Sequence, residues 1–424
     1  MECYDSYKDS GVEWIGKIPD DWDCRPISTL YDSRNEKVSE KDFPALSVTM
    51  QGIVPQLETA AKSNDTENRK LVKKGDFAIN SRSDRRGSCG ISDYDGSVSL
   101  ITNVLKPKNT FGMENRYYSY LFSSEHFSDE YYRNGTGIVD DLWSTNWSRM
   151  KRIYVPVPSY SFQVKIAKYL DEKTSQIDSL IEKNEKSIEL LEEYRKSVIS
   201  EAVTKGLDPN APMKDSGVEW IGEIPEEWEI KPMKEIVSIK TGHTPPSAHR
   251  EFFDGSFPWF TPGDINETVL VHSTRTVSDL AIKEGQVPVY PEGSVLLIII
   301  GGTAGKAGFS LVQCSSNQQI TALMPKFCYP KWLFYAVMNE RTRFYDLAQF
   351  TTMPILNNEY LAGYKMVVPT FNEQEAIVNY LDQKTAQIDS LIDKKKQLIE
   401  KLQEYRKSLI SECVTGKIKV PGVE

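Results

Sequence analysis

"YLDEKTSQIDSLIEKNEKSIELLEEYRKSVISEAVT", Tyr169 to Thr204, decides the fold, because the chain says it again as "YLDQKTAQIDSLIDKKKQLIEKLQEYRKSLISECVT", Tyr380 to Thr415. At an offset of 211, 25 of the 36 positions are identical. From Gln163 to Ala202 the apolar residues follow a 3.5-residue period. Leu170, Ile177, Leu191 and Val198 hold one position of the heptad, with Asn184 the polar exception. Ala167, Thr174, Ile181, Ile188 and Ala202 hold the other. The second copy repeats the pattern with Leu381, Ile388, Leu402 and Leu409, then Ile392 and Ile399, and Lys395 falls where Asn184 does. Two such stripes predict two long helices paired as a coiled coil, in which one polar core position fixes the register. A helix of about 40 residues spans roughly 60 Å at 1.5 Å per residue. Antiparallel pairing would give the repeat a pseudo-twofold axis and place the segments between the helices at opposite ends.

A second doubled phrase opens each repeat: "KDSGVEWIGKIPDDW" at Lys8 to Trp22 and "KDSGVEWIGEIPEEW" at Lys214 to Trp228, offset by 206. Its tryptophans, Trp14 and Trp22, then Trp220 and Trp228, are expected to pack where each globular segment meets the helices. Just before each helix lies a Val-Pro stretch, Val155 to Pro158 and Val367 to Thr370. Between these like ends, about 130 residues per copy share almost no wording. Two similar frames therefore hold two different inserts. Gly206, Pro209 and Pro212 break the first helix and mark the boundary between repeats.

The inserts read as β-rich with late helices. "KKGDFAINSR" predicts a turn and a strand, "GSVSLITNVLKP" another strand, and "PEGSVLLIIIGGTAGKAGFSLV" strand, glycine turn and strand, with "NQQITALMPK" a further strand. "NRYYSYLFSSEHFSDEYYRN" and "PKWLFYAVMNERTRFYDLAQ" are helical and equivalently placed. The fold class is thus α+β: two α/β domains joined by a long antiparallel two-helix coiled-coil spacer in a pseudo-twofold tandem repeat. The boundaries run 1–160 for the first domain, 161–204 for the first helix and 205–214 for a linker. The second domain is 215–370, the second helix 371–415 and a C-terminal tail 416–424.

Enzyme chemistry finds no support in the wording. "GGTAGKAG" at Gly301 to Gly308 fails as a phosphate loop, since Ile300 stands at the first glycine and Ala307 replaces the magnesium-binding hydroxyl. Glu229 and Lys231 mimic part of a nuclease motif but sit inside the frame without its distant acid. Methyltransferase motifs are missing, and the four histidines and six cysteines show no metal spacing. The start of the chain lacks the pattern of a signal peptide and no run is long enough for a membrane span, so a cytoplasmic location is expected. Net charge is −9, which argues mildly against nucleic acid. Seven basic residues between Arg69 and Arg86, however, make that stretch locally cationic.

The opening phrase and the helix ending "EYRKSxISExVT" resemble the specificity subunit of type I restriction-modification systems, over the whole chain. That resemblance implies a non-catalytic subunit whose two target-recognition domains each read half of a bipartite, asymmetric site in double-stranded DNA. It also implies two methyltransferase subunits and restriction (motor and nuclease) subunits as partners. No cofactor is expected in this chain; S-adenosylmethionine, ATP and Mg²⁺ belong to the partners. Base readout needs Arg for guanine, Asn or Gln for adenine, and cations on phosphates. The candidates are Lys73, Lys74, Arg82, Arg85 and Arg86 in the first insert, with Arg69 and Lys70 as solvated alternatives. In the second they are His243, Arg250, Thr303, Lys306, Asn317, Gln318 and Gln319. Helix pairing is assigned to Leu170, Ile177, Ile181, Asn184, Ile188 and Leu191, with Leu381, Ile388, Ile392, Lys395, Ile399 and Leu402. The rival reading is a scaffold that presents two protein-binding domains and touches no DNA.

Overall fold

In the computed structural model, residues 3–56, 66–82, 85–108, 112–137, 143–350 and 354–422 are described. The chain forms two compact units, Met1–Glu185 with Lys396–Glu424, and Lys186–Lys395. Two helices dominate, Tyr160–Lys205 and Phe371–Val414, and each unit takes part of both.

The like ends of each repeat are explained by a strand pair. In the first unit Asp23–Pro26, directly after Trp22, pairs antiparallel with Tyr154–Val157, directly before the long helix. In the second, Glu229–Pro232 pairs with Lys365–Val368 in the same register, Asp23 opposite Val157 and Glu229 opposite Val368. Both ends of a repeat thus close on one another, and the insert hangs between them. The opening phrases themselves form short hairpins, Tyr7–Asp9 with Lys17–Pro19 and Met213–Asp215 with Glu223–Pro225. The linker's last residues therefore already belong to the second hairpin.

The first insert holds an antiparallel four-stranded sheet in the order Cys89–Ile91, Phe77–Asn80, Thr102–Pro107, Tyr31–Ser33. A three-stranded sheet of Gly96–Val98, Arg69–Val72 and Lys37–Val38 accompanies it. "GSVSLITNVLKP" is thus two strands in different sheets, and not one, because Ser99 to Ile101 turn between them. The second insert orders its main sheet as Val237–Thr241, Ile320–Pro325, Val295–Ile298, Ala307–Ser310, Val269–Leu270. Its smaller sheet is Arg275–Val277, Phe253–Phe260, Ser315–Ser316.

Unlike wording still docks on the helices in one way. Gln163, 2% exposed, donates from Nε2 to the Pro158 carbonyl and accepts the Glu114 backbone N–H at 2.9 Å. Gln374 does the same with Pro369 and the Tyr329 N–H. About two turns further, Asp171 accepts from Tyr120 and pairs with Arg116, as Asp382 does with Tyr335 and Lys331. Arg116 and Tyr120 are four apart, like Lys331 and Tyr335, so one helix face carries both contacts.

Within the first unit Leu170 and Ile177 are buried with Leu409, Ile410, Cys413 and Val414, and Ile181 and Leu402 pack against them. In the second, Val198, Ile199, Ala202 and Val203 share a core with Ile377, Val378 and Leu381. Ile388 and Ile392 are also buried, while Asn184, Ile188, Leu191, Lys395 and Ile399 are half-buried. Asp178 pairs with Arg406 in the first unit, and Lys165, nearer the helix start, bonds the Gly422 carbonyl, so the segments run antiparallel there. Arg195 pairs with Asp389 in the second unit. These are the same two repeat positions with their copies exchanged.

Of the tail, Ile418 and Val420 are buried in the first unit's core, and Lys417 donates to the Ile15 and Lys17 carbonyls. The tryptophans divide. Trp22 and Trp228 are fully buried and Trp14 packs edge-on to Phe127, but Trp220 remains 49% exposed with Arg343 stacked 5.4 Å above it. Trp220 nevertheless lies where the second domain meets the helix, beside Val203 and Thr204, and its ring neighbour among the described residues is Tyr364.

Candidate nucleic-acid interface

The basic stretch of the first insert does not form one patch. Arg69 is 5% exposed, and its guanidinium donates to the Ser97 hydroxyl at 2.9 Å and the Ser97 carbonyl at 3.1 Å. Lys70 donates to the Thr102 carbonyl, and burial lowers its pKa. Arg69 is therefore buried and not solvated, while Lys70, on the opposite face of the strand, is half-buried with its ammonium on a carbonyl. Lys73 and Lys74 are exposed on the turn that follows. Asp76 caps that turn by accepting the Lys73 N–H, and its carboxylate is held by Arg34 at 2.6 Å. The adjacent acid is thereby committed inward.

Arg82, Arg85 and Arg86 are exposed beyond the other end of Phe77–Asn80. That strand's four residues separate them from Lys73 and Lys74 by about 13 Å. The two basic groups therefore flank one strand. Arg86 is not unpartnered: it meets Asp129 at 3.2 Å and lies 5.1 Å over the Tyr132 ring. An exposed pair of this kind is worth under about 1 kcal/mol, so a phosphate or base can displace it.

In the second insert the candidates gather around the end of Val295–Ile298. The Ile298 N–H donates to the Lys306 carbonyl, and the Ile299 N–H to the Gln319 carbonyl. The glycine turn and the Asn317–Gln319 loop thus lie on either side of one strand end. Gly305 has φ of +88°, and a Cβ there would stand 2.6 Å from the Arg341 carbonyl, so only glycine fits. Thr303 is exposed at the tip, and Lys306 donates to Asn266 at 3.3 Å.

Asn317 is buried and spends its amide on the turn, accepting the Gln319 N–H and donating to the Gln319 side chain. Gln318 is exposed and accepts from the Thr244 hydroxyl. Beside it, His243 is anchored through its N–H to the Ser316 carbonyl and through Nδ1 to the Gln286 carbonyl at 2.9 Å. Gly242 permits this approach, since a Cβ would lie 2.2 Å from the Asn317 carbonyl. His243, Thr244 and Gln318 form a polar rim, His243 and Gln318 exposed and Thr244 half-buried, with Thr303 and Lys306 reached across the strand end. Arg250 stands elsewhere, exposed in the short helix Arg250–Phe252.

Sequence reasoning missed the buttress of this rim. Asp264 accepts the N–H and hydroxyl of Thr261 through one oxygen and those of Thr274 through the other. Burial opposes its charge, yet the four donors outweigh it and hold the carboxyl below its ordinary value. The three contributing residues are scattered over Thr261 to Thr274 with no spacing rule to reveal them. Among the described residues there is no cluster of three or more metal-ligating side chains and no helix apolar enough to cross a membrane. Glu229 and Lys231 simply pair with each other at 2.6 Å on the frame strand.

Two insert domains on one duplicated frame, each with an exposed polar or cationic rim, define a DNA-specificity fold. The chain belongs to the type I restriction modification DNA specificity domain family, whose model matches twice, over residues 19–191 and 225–401. It is 26% identical over 436 residues to the specificity subunit of the type I restriction enzyme MjaVIII of Methanocaldococcus jannaschii, covering 96% of this chain and 95% of that one. With the Escherichia coli EcoR124I/EcoR124II specificity subunit it shares 23% identity over 63% of this chain and 64% of the relative. A solved chain from a study of type I R-M assembly and conformational transition aligns with a TM-score of 0.74, at 15% identity, over 95% of this chain and 99% of that one. The HsdS subunit of Thermoanaerobacter tengcongensis aligns at 0.56 and 16% identity, over 95% and 98%.

Proposed function

We propose that this chain is the sequence-specific DNA-recognition subunit of a type I restriction-modification complex. Each insert reads one half of a bipartite site, and methylation and cleavage reside in partner subunits. The carrying observation is the frame: in both repeats identical register and equivalent Gln, Asp and Tyr contacts hold inserts of unlike wording. A frame kept constant around a changed insert suits a reader whose target changes while its partners do not. Lys73, Lys74, Arg82 and Arg85 are assigned to the first half-site, and His243, Gln318, Thr303 and Lys306 to the second. The long helices set the gap, and the frames dock two adenine methyltransferase subunits that use S-adenosylmethionine; the restriction subunits use ATP and Mg²⁺.

The test is methylation profiling of DNA from cells that express the chain with its methyltransferase partner. One bipartite motif with a fixed gap is expected, and Gln318→Ala should alter one half of it only. A motif without a gap, or a change in both halves, contradicts the assignment. A scaffold that touches no DNA would give no motif dependent on this chain.

A further inference from the structure

The second rim has few cations, yet one arginine beside it is built to point outward. Arg275 lies directly opposite Trp259 in the smaller sheet, its guanidinium 5.0 Å from that ring and 5.8 Å from Phe253. Its backbone is fixed on both sides. Thr274 is clamped by Asp264, and the Ser273 hydroxyl donates to the Arg275 carbonyl while accepting the Trp259 N–H. The platform also touches the rim, because the Trp259 indole N–H donates to the His243 carbonyl at 3.2 Å. Arg86 and Arg343 stack on rings too, but each also meets an acid, Asp129 and Glu340. Among the described residues Arg275 meets none, and it is exposed.

We infer that Arg275 is a specificity-determining residue that reads a guanine in the half-site of the second domain. This rests on the proposed reading of the His243, Thr244 and Gln318 rim as that domain's reader. Stacking holds the guanidinium plane and reduces the rotamer entropy lost on binding, while leaving its N–H donors unspent. A planar fork of donors matches O6 and N7 of guanine in the major groove, where lysine offers only a point charge. Gln318, on the rim that the Trp259 platform touches, supplies the adenine-type amide, so the two together present both kinds of purine reader.

The experiment uses the full chain with its methyltransferase partner, duplexes carrying the profiled motif, and scrambled duplexes. Arg275→Ala should weaken the motif duplex by about ten- to a hundredfold, leave the scrambled duplex unchanged, and relax one G·C position in one half-site. Arg275→Lys should not restore discrimination. With 7-deazaguanine at that position, the unsubstituted complex should lose affinity and the Arg275→Ala complex should not. Arg343→Ala, stacked but ion-paired, serves as the control that retains the motif. Equal weakening of both duplexes, with a salt slope shallower by about one, would make Arg275 a phosphate contact and overturn the inference. If Gln318→Ala alters one half-site and Arg275→Ala alters nothing, only this inference falls. If neither alters a half-site, the rim reading falls with it.

Discussion

The two tryptophans of one repeated phrase carry different burdens. Trp228 is fully buried, and its indole N–H donates to Glu373 at 3.0 Å. Removing such a side chain costs about 3–5 kcal/mol, so Trp228→Ala should lower the denaturant midpoint sharply. Trp220→Ala, at a half-exposed site, should cost well under half as much. Comparable losses would mean that Trp220 is covered in solution. Thiol chemistry gives a second residue-level check. Burial pushes the Cys89, Cys328 and Cys413 thiols up to about 12 and Cys314 up to about 11. A group at about 12 is thiolate in only about one molecule in ten thousand at pH 8. Exposed Cys3 should therefore be alkylated first at that pH, and those four only after unfolding, as mass spectrometry of timed reactions will show. Such burial was only partly legible in the sequence. "RKLVKK" reads as a run of cations, but strand alternation turns Arg69 inward to Ser97, and no local signal identifies Ser97 as its partner.

At the scale of elements, the long helices were the most legible feature because a heptad needs only its own residues to declare itself. Even so, the apolar stripe passes over Arg195, seven residues after Ile188, and Arg406, seven after Ile399. The structure shows why these positions tolerate charge: Arg195 lies 3.2 Å from Asp389, and Arg406 lies 2.9 Å from Asp178. Each pair is partly exposed and should contribute about 0.5–1 kcal/mol. A double-mutant cycle of Arg195→Ala and Asp389→Ala should return a coupling of that size, shrinking as salt screens it. Zero coupling at low salt would reduce the pair to a geometric coincidence. The inserts were less legible, because their equivalence lies in what they touch. "RYYSY" and "KWLFY" share only their final tyrosine, yet Lys331 and Tyr335 meet Asp382 as Arg116 and Tyr120 meet Asp171. Asp264's four donors and the Trp259 platform under Arg275 are likewise tertiary, assembled from segments that no periodicity connects.

For the whole molecule, the question is what fixes the distance between the two half-sites. Each unit draws on both helices, residues 160–185 and 396–414 in the first and 186–205 and 371–395 in the second. If the helices set the gap, lengthening both at the unit boundary should lengthen the recognised site without changing either half. Seven residues inserted after Glu185 and seven after Lys395 preserve the heptad phase, so each apolar position keeps its side of the helix. The added rise is about 10 Å, or about three base pairs of B-form DNA at 3.4 Å each. The lengthened chain should direct its partner's methylation to the same two half-sites with a gap about three base pairs longer. An insertion of four in one helix alone breaks the phase between partners, and should lower stability as well as alter the tolerated gap. Methylation profiling of both variants decides the matter: an unchanged gap in the heptad variant, with the complex intact, would show that something other than these helices measures the DNA.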